Sequence, residues 1–167
     1  MHYLEGYIKK IENFPQEGIL FYDISPLMRE KMTQTIDAMS DLIDEQTWDS
    51  IDTIIGVESR GFLFASALAY KHGKGMGFVR KKGKLPNVAA RKSYGLEYGT
   101  DVLEMQAGSG NVLLVDDVLA TGGTLAAAAD LCKETGHNVI DIACLINLKD
   151  LNNFNWNGIG CKAVFQY

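Results

Sequence analysis

Residues 112–124, VLLVDDVLATGGT, limit what this chain can fold into more than any other stretch. Four apolar residues, Val112 to Val115, read as a buried strand. The strand is expected to end in two adjacent carboxylates, Asp116 and Asp117. After a short apolar link come Thr121, Gly122, Gly123 and Thr124, then an alanine-rich helix over 124–135 that Gly136 is placed to close. A strand feeding a helix through a glycine turn belongs to an open α/β sheet, where ligands sit beyond the carboxyl ends of strands. The glycines let backbone amides turn toward an anion, and the helix adds the positive end of its dipole. With two threonine hydroxyls, the turn suits one phosphate monoester. The two acids repel phosphate and suit sugar hydroxyls or a divalent cation. A sugar phosphate satisfies both halves at once. An ordinary capping turn would need one acid and would leave the hydroxyl–glycine cluster without purpose. No Gly-Lys-Ser/Thr follows, which excludes a Walker A loop, and the GKGMG run at 73–77 precedes a strand, the wrong side for a dinucleotide fingerprint.

The rest of the chain alternates in the same manner. Leu4, Tyr7, Ile8 and Ile11 recur at helical spacing and predict a short N-terminal helix, stopped by residues 13–18. An extended piece over 19–23 leads to a second helix over about 33–46, with Ile36, Met39, Leu42 and Ile43 on one face. Strands follow at 53–57 and 77–79 around a buried helix at 61–71. An antiparallel excursion is expected over 93–106 with a turn at Tyr98, Gly99 and Thr100, and further strands at 139–148 and 163–165. The pattern predicts an α/β fold with a mainly parallel sheet covered by helices. There is no internal repeat or low-complexity linker, and 167 residues suit one domain.

Charge is unevenly spread. The net charge is −5, from 16 basic and 21 acidic residues, yet half of the basic residues fall between Tyr70 and Lys92, a span without an acid. Gly83, Pro86 and Gly95 break this segment. It fits a solvated loop or a mobile arm closing on a small polyanion better than a helix reading nucleic acid, and the acidic remainder disfavours nucleic acid as a partner. A 47% hydrophobic composition excludes disorder and fibrous repeats. The first 14 residues carry Glu5, Lys9, Lys10 and Glu12, which argues against a signal peptide, and no apolar run is long enough for a membrane span. Cys132, Cys144 and Cys161 form no C-x-x-C pair and fit a reducing cytoplasm, and His2, His72 and His137 lie in no motif and are read as surface residues.

The segment VLLVDDVLATGGT resembles the phosphoribosyl-pyrophosphate signature of type I phosphoribosyltransferases. Four further segments, FPQEGILFYDISPLM (14–28), GVESRGFLFASALA (56–69), VRKKGKLP (79–86) and SYGLEYGTDVLEMQ (93–106), narrow the resemblance to the members that act on adenine. The resemblance implies the type I phosphoribosyltransferase fold: a central, mainly parallel sheet flanked by helices, with a small N-terminal hood. It implies a single domain over 1–167, the hood mainly at 1–32 and a flexible catalytic loop at about 81–100. The implied reaction joins N9 of adenine to phosphoribosyl pyrophosphate, giving AMP and pyrophosphate in purine salvage. Mg2+ would be held mainly through substrate and water, with no direct protein ligand, and the protein would be a cytoplasmic homodimer. Two other functions stand beside it: transfer to another base, and a regulator that senses phosphoribosyl pyrophosphate. The intact GKLP and LEYG segments and the lack of room for a DNA-binding domain weigh against the regulator.

The residue roles follow from the same resemblance. Asp116 and Asp117 take the ribose hydroxyls, and Ala120, Thr121, Gly122, Gly123 and Thr124 take the 5′-phosphate. Glu58, Ser59, Arg60, Arg80, Lys81, Lys84 and Tyr98 serve the pyrophosphate, with the Glu58–Ser59 peptide expected to be cis. Glu58 stands where other members can have Asp. Leu20, Phe21 and Tyr22 read adenine, Phe21 by stacking and its neighbours by backbone groups, although Phe21 also reads as plain core. Family members often have Arg where Tyr22 stands. Glu97 and Asp117 are rival proton handlers, and Arg60 is assigned to catalysis with them. Asp23 either orients the base-reading segment or pairs with Arg60.

Overall fold

A computed structural model describes residues 3–96 and 99–167. Its spine is β7 (Asn111–Leu119), which is flanked in parallel by β3 (Thr53–Val57) and β8 (Asn138–Asn147). The sheet widens to β4 (Gly75–Lys81) beyond β3 and to β9 (Cys161–Gln166) beyond β8, again in parallel. β5 (Val88–Leu96) and β6 (Gly99–Gln106) form an antiparallel hairpin on the β4 edge. Among the described residues the order is β5-β6-β4-β3-β7-β8-β9. The expected α/β sheet is therefore present.

β7 has a continuous apolar run because both its faces are covered. Leu113 and Val115 join one core with α1 (Ser25–Ser40) and α3 (Gly61–His72), whereas Val112 and Leu114 join a second core under α4 (Gly123–Glu134). α4 is close to the expected 124–135. Its Ala127, Ala128 and Ala129 are buried in this second core, where small side chains let helix and strands approach.

The N-terminal expectations need correction. Residues Tyr3–Tyr7 form a single 3-10 turn, and Lys9–Glu12 is a strand (β1) paired antiparallel with β2 (Leu20–Asp23). Leu4 and Ile8 are buried but Ile11 is exposed, so the apparent stripe does not lie on one face. The second helix, expected at 33–46, is two helices. α1 starts at Ser25 with Pro26 in its first turn, a position where the missing N–H costs nothing. It crosses residue 32, the expected edge of the hood, with a non-helical kink at Lys31. A separate short helix, α2 (Glu45–Ser50), begins at Asp44, whose side chain accepts from the Thr47 amide at 2.9 Å. Within 81–100, residues 82–87 are a connection and Val88–Leu96 is strand; of the expected turn, Tyr98 lies outside the described residues and Gly99 and Thr100 open β6. His72, expected at the surface, stacks on Trp48 with ring centroids 3.6 Å apart.

Candidate active site

The acids lie inside β7, not at its end. The strand continues through Leu119 because β8 keeps pairing with it, Asp116 opposite Cys144 and Leu119 opposite Asn147. Both acids are therefore buried, each 7% exposed. Burial pushes the Asp116 carboxyl well above its ordinary 3.8, and the charge of Asp117 adds to the push. The Asp117 amide donates to Asp116 Oδ1 at 2.8 Å and works the other way. Asp116 is thus biased toward the neutral acid, which can donate as well as accept. Asp117 Oδ2 lies 2.6 Å from Arg60 Nε, but no hydrogen bond of acceptable angle reaches this buried oxygen. A buried carboxylate held by an ion pair beside an acid biased toward its neutral form is a fitting receptor for a vicinal diol.

The glycine turn expected to take phosphate follows directly. Gly122 takes a positive φ of 94°, which an L side chain rarely adopts, and α4 starts on the next residue with no side chain capping it. Its first amides are left for an anion. Thr121, Gly122 and Thr124 line a crevice of about 220 Å³ with Ala120 and Gly95. Gly95 comes from β5: its carbonyl oxygen would lie 3.3 Å from a Cβ at Gly123, so the hairpin rests on the turn. Tyr94, which the sequence did not single out, places its hydroxyl 3.4 Å from Asp101 and also interacts with Thr124. Its burial pushes the phenol pKa up and keeps it a donor.

At the end of β3 the Glu58–Ser59 peptide is cis, as expected. Glu58 is turned toward β4. Its Oε2 accepts from Arg80 Nε at 3.2 Å and the Lys81 amide at 2.8 Å, tying the turn to β4. Arg80 also donates to the Lys84 carbonyl at 3.3 Å, and Lys81 pairs with Asp101 at 3.4 Å. Ser59, Lys81 and Lys84 are exposed, and Lys84 has no ion pair among the described residues. Glu97 and Tyr98 lie outside the described residues.

Only part of the segment expected to read the base converges. Phe21 lines a crevice of about 700 Å³ between the β1–β2 hairpin, α1 and α3, together with Phe14, Ile24, Met28, Arg60 and Leu63. Phe14 meets Phe21 edge-on at 5.0 Å, and the Arg60 guanidinium lies 5.4 Å from the Phe21 ring centroid. Arg60 therefore links the aromatic platform to Asp117. Tyr22 points elsewhere, stacked on Tyr167 at 4.8 Å under Lys10, and Leu20 lines a separate shallow crevice with Glu12 and Asn13. Alternation along β2 accounts for the split. The Tyr22 ring is therefore turned away from the Phe21 crevice. Asp23 accepts from the Ser25 amide at 2.9 Å, so it orients the segment while Arg60 takes Asp117.

The phosphoribosyl transferase domain family matches residues 28–153. A protein from Hydrogenovibrio crunogenus named adenine phosphoribosyltransferase is 55% identical over 99% of this chain and 97% of its own. The chain belongs to the adenine phosphoribosyltransferase family. A second member, from Bdellovibrio bacteriovorus, is 43% identical over 98% of this chain and 99% of its own. Among solved members of the family, that of Thermoanaerobacter pseudethanolicus superposes with a TM-score of 0.87 at 34% identity, covering 98% of both chains. The Saccharomyces cerevisiae member, complexed with an imino-altritol bisphosphate and adenine, gives 0.83 at 36% identity, covering 96% of this chain and 94% of its own. Family likeness thus spans hood, sheet and hairpin alike.

Proposed function

We propose that the protein is an adenine phosphoribosyltransferase, joining N9 of adenine to the ribose C1 of phosphoribosyl pyrophosphate and releasing pyrophosphate and AMP. The observation that carries this reading is the continuity of β7, its buried acid pair and the uncapped start of α4, reached from the Phe21 crevice through Arg60. The 5′-phosphate sits on the amides and hydroxyls of residues 121–124. Asp116 and Asp117 hold the ribose hydroxyls, with Asp116 biased toward its neutral form. Adenine stacks on Phe21 while backbone groups of Leu20 and Tyr22 read its edge. Ser59, Arg60, Arg80, Lys81 and Lys84 gather on the leaving pyrophosphate. Arg80 and Lys81 must loosen their hold on Glu58 and Asp101 to do so, which suits closure of residues 81–100 as a lid with Tyr98. Water is then kept from the oxocarbenium-like centre. Glu97 is the candidate proton handler for the imidazole side of adenine, with Asp117 its rival.

Among the described residues no three His, Cys, Asp or Glu side chains gather as a metal site. Mg2+ would be held mainly by pyrophosphate oxygens and water, where it would offset charge on the leaving group. Tyr70 on α3 and Phe78 on β4 are exposed apolar side chains, which agrees with a homodimer. No described helix is long and apolar enough to cross a membrane, and the three cysteines are free. Both agree with work in the cytoplasm, where recovery of free adenine as AMP amounts to purine salvage.

Incubation of purified protein with adenine, phosphoribosyl pyrophosphate and Mg2+ should yield AMP. Turnover of hypoxanthine in place of adenine, or binding of nucleotides without turnover of any base, would replace this reading.

A further inference from the structure

The segment NNFNWN, residues 152–157, carries no motif, yet its side chains converge on the phosphate turn. Asn152 Nδ2 donates to the Ala120 carbonyl at 2.7 Å. It also reaches the Leu148 carbonyl at 2.9 Å and Asn147 Oδ1 at 3.1 Å. One amide nitrogen thus joins the end of β7 to the end of β8. Asn152 Oδ1 in turn accepts from the Phe154 amide at 3.1 Å, which sets the Phe154 ring against Gly122. A Cβ at Gly122 would lie 3.0 Å from Phe154 Cδ2. The far end of the segment is anchored to α4, where Trp156 Nε1 donates to Asp130 Oδ1 at 2.8 Å.

We infer that Asn152 and Phe154 are positioning residues for the 5′-phosphate turn, an inference that rests on the site reading above. Neither needs to touch substrate. A turn that binds an anion through amides works only if those amides are aimed before the anion arrives. Gly122 and Gly123 leave the turn floppy by themselves. Asn152 fixes the Ala120 carbonyl at its entrance, and the Phe154 ring fills the side where Gly122 has no Cβ. An unbraced turn must be ordered by the substrate, and the ordering cost appears in the affinity for the phosphorylated substrate alone.

The test uses Asn152→Leu, which keeps size and removes the donors, and Phe154→Ala, with Phe154→Tyr as the conservative variant. Thr124→Val controls for the turn itself. The KM for phosphoribosyl pyrophosphate should rise about tenfold in Asn152→Leu and Phe154→Ala. The KM for adenine and kcat should stay within about twofold, because groups distant from the base are untouched. Phe154→Tyr should match the parent. A simple loss of stability lowers Tm without splitting the two KM values. If Asn152→Leu fails to fold, Phe154→Ala carries the same comparison. Unchanged KM for phosphoribosyl pyrophosphate in the brace variants, or a parallel rise in both KM values, overturns the inference while leaving the site intact. An unchanged value in Thr124→Val removes the site reading and the inference with it.

Discussion

Gly61 is where the turn after β3 meets the acid-bearing strand, and Gly61→Ala tests whether that meeting is as tight as it looks. A Cβ there would lie 2.9 Å from the Val115 carbonyl oxygen, 3.0 Å from Asp116 Oδ1 and 3.2 Å from Asp116 Cα. Val115 is paired with β3 on one side and β8 on the other, so the strand cannot step aside. The start of α3 must move instead. Overpacking of this kind costs about 1–3 kcal/mol. Alanine regains part of its ~1 kcal/mol helix advantage at a helix start. A net loss of about 1–2 kcal/mol lowers Tm by roughly 2–8 °C for a chain of this size. The same push displaces Asp116 Oδ1 from the Asp117 amide, so the KM for phosphoribosyl pyrophosphate should rise more than that for adenine. Thermal unfolding and steady-state kinetics read both effects. Gly160→Ala is the control, because nothing lies within 4 Å of a Cβ there. Parent-like Tm and kinetics in Gly61→Ala would refute the close packing of α3 on β7.

Two pH-dependent outcomes accompany it. Burial and then Asp117 hold the Asp116 carboxyl above 3.8, so the folded chain binds a proton that the unfolded chain releases; stability is lost as pH rises from 3.8 toward the folded value. Asp116→Asn should therefore gain Tm over the parent at pH 7 and little at pH 4, while losing activity; equal gains at both pH values would contradict this. Glu104 is buried, and its pKa is held below its ordinary 4.5 first by Arg91, at 2.8 Å, against desolvation, with the Gly83 amide helping at 3.0 Å. A depressed acid contributes stability that is complete above 4.5 and drains away as pH falls through the folded value. Glu104→Gln should then lower Tm at pH 7 and converge on the parent at low pH, and a gap independent of pH would count against the Arg91 contact.

Much of the sheet was legible because its signals are local. The apolar run at 112–115, the glycine turn and the alanine-rich helix each declare themselves within a few residues, and all three stand close to where they were expected. The hood was misread for the opposite reason. Leu4, Tyr7, Ile8 and Ile11 match a helical period, but their burial is set by what packs on them: Leu4 and Ile8 sit in the core with α1, and Ile11 lines the open crevice. The starts of α1 and α2 did carry a signal, in Pro26 and in Asp44 three residues before Thr47. NNFNWN carried none, since its partners lie 26 and 32 residues away in Asp130 and Ala120.

The sequence by itself determined that a buried strand would deliver two acids and a glycine turn to one end of an α/β sheet, because hydrophobic period and backbone freedom are written residue by residue. The tertiary structure alone decided how the charges are spent. The acid-free run from Tyr70 to Lys92 meets acids from four distant segments: Lys71 pairs with Asp37, Arg80 with Glu58, Arg91 with Glu104, and Lys92 with Asp130. Arg60 likewise finds Asp117, and Asp116 is biased toward its neutral form. Such pairings depend on through-space distance and on the exclusion of water, and a linear chain specifies neither until it has folded.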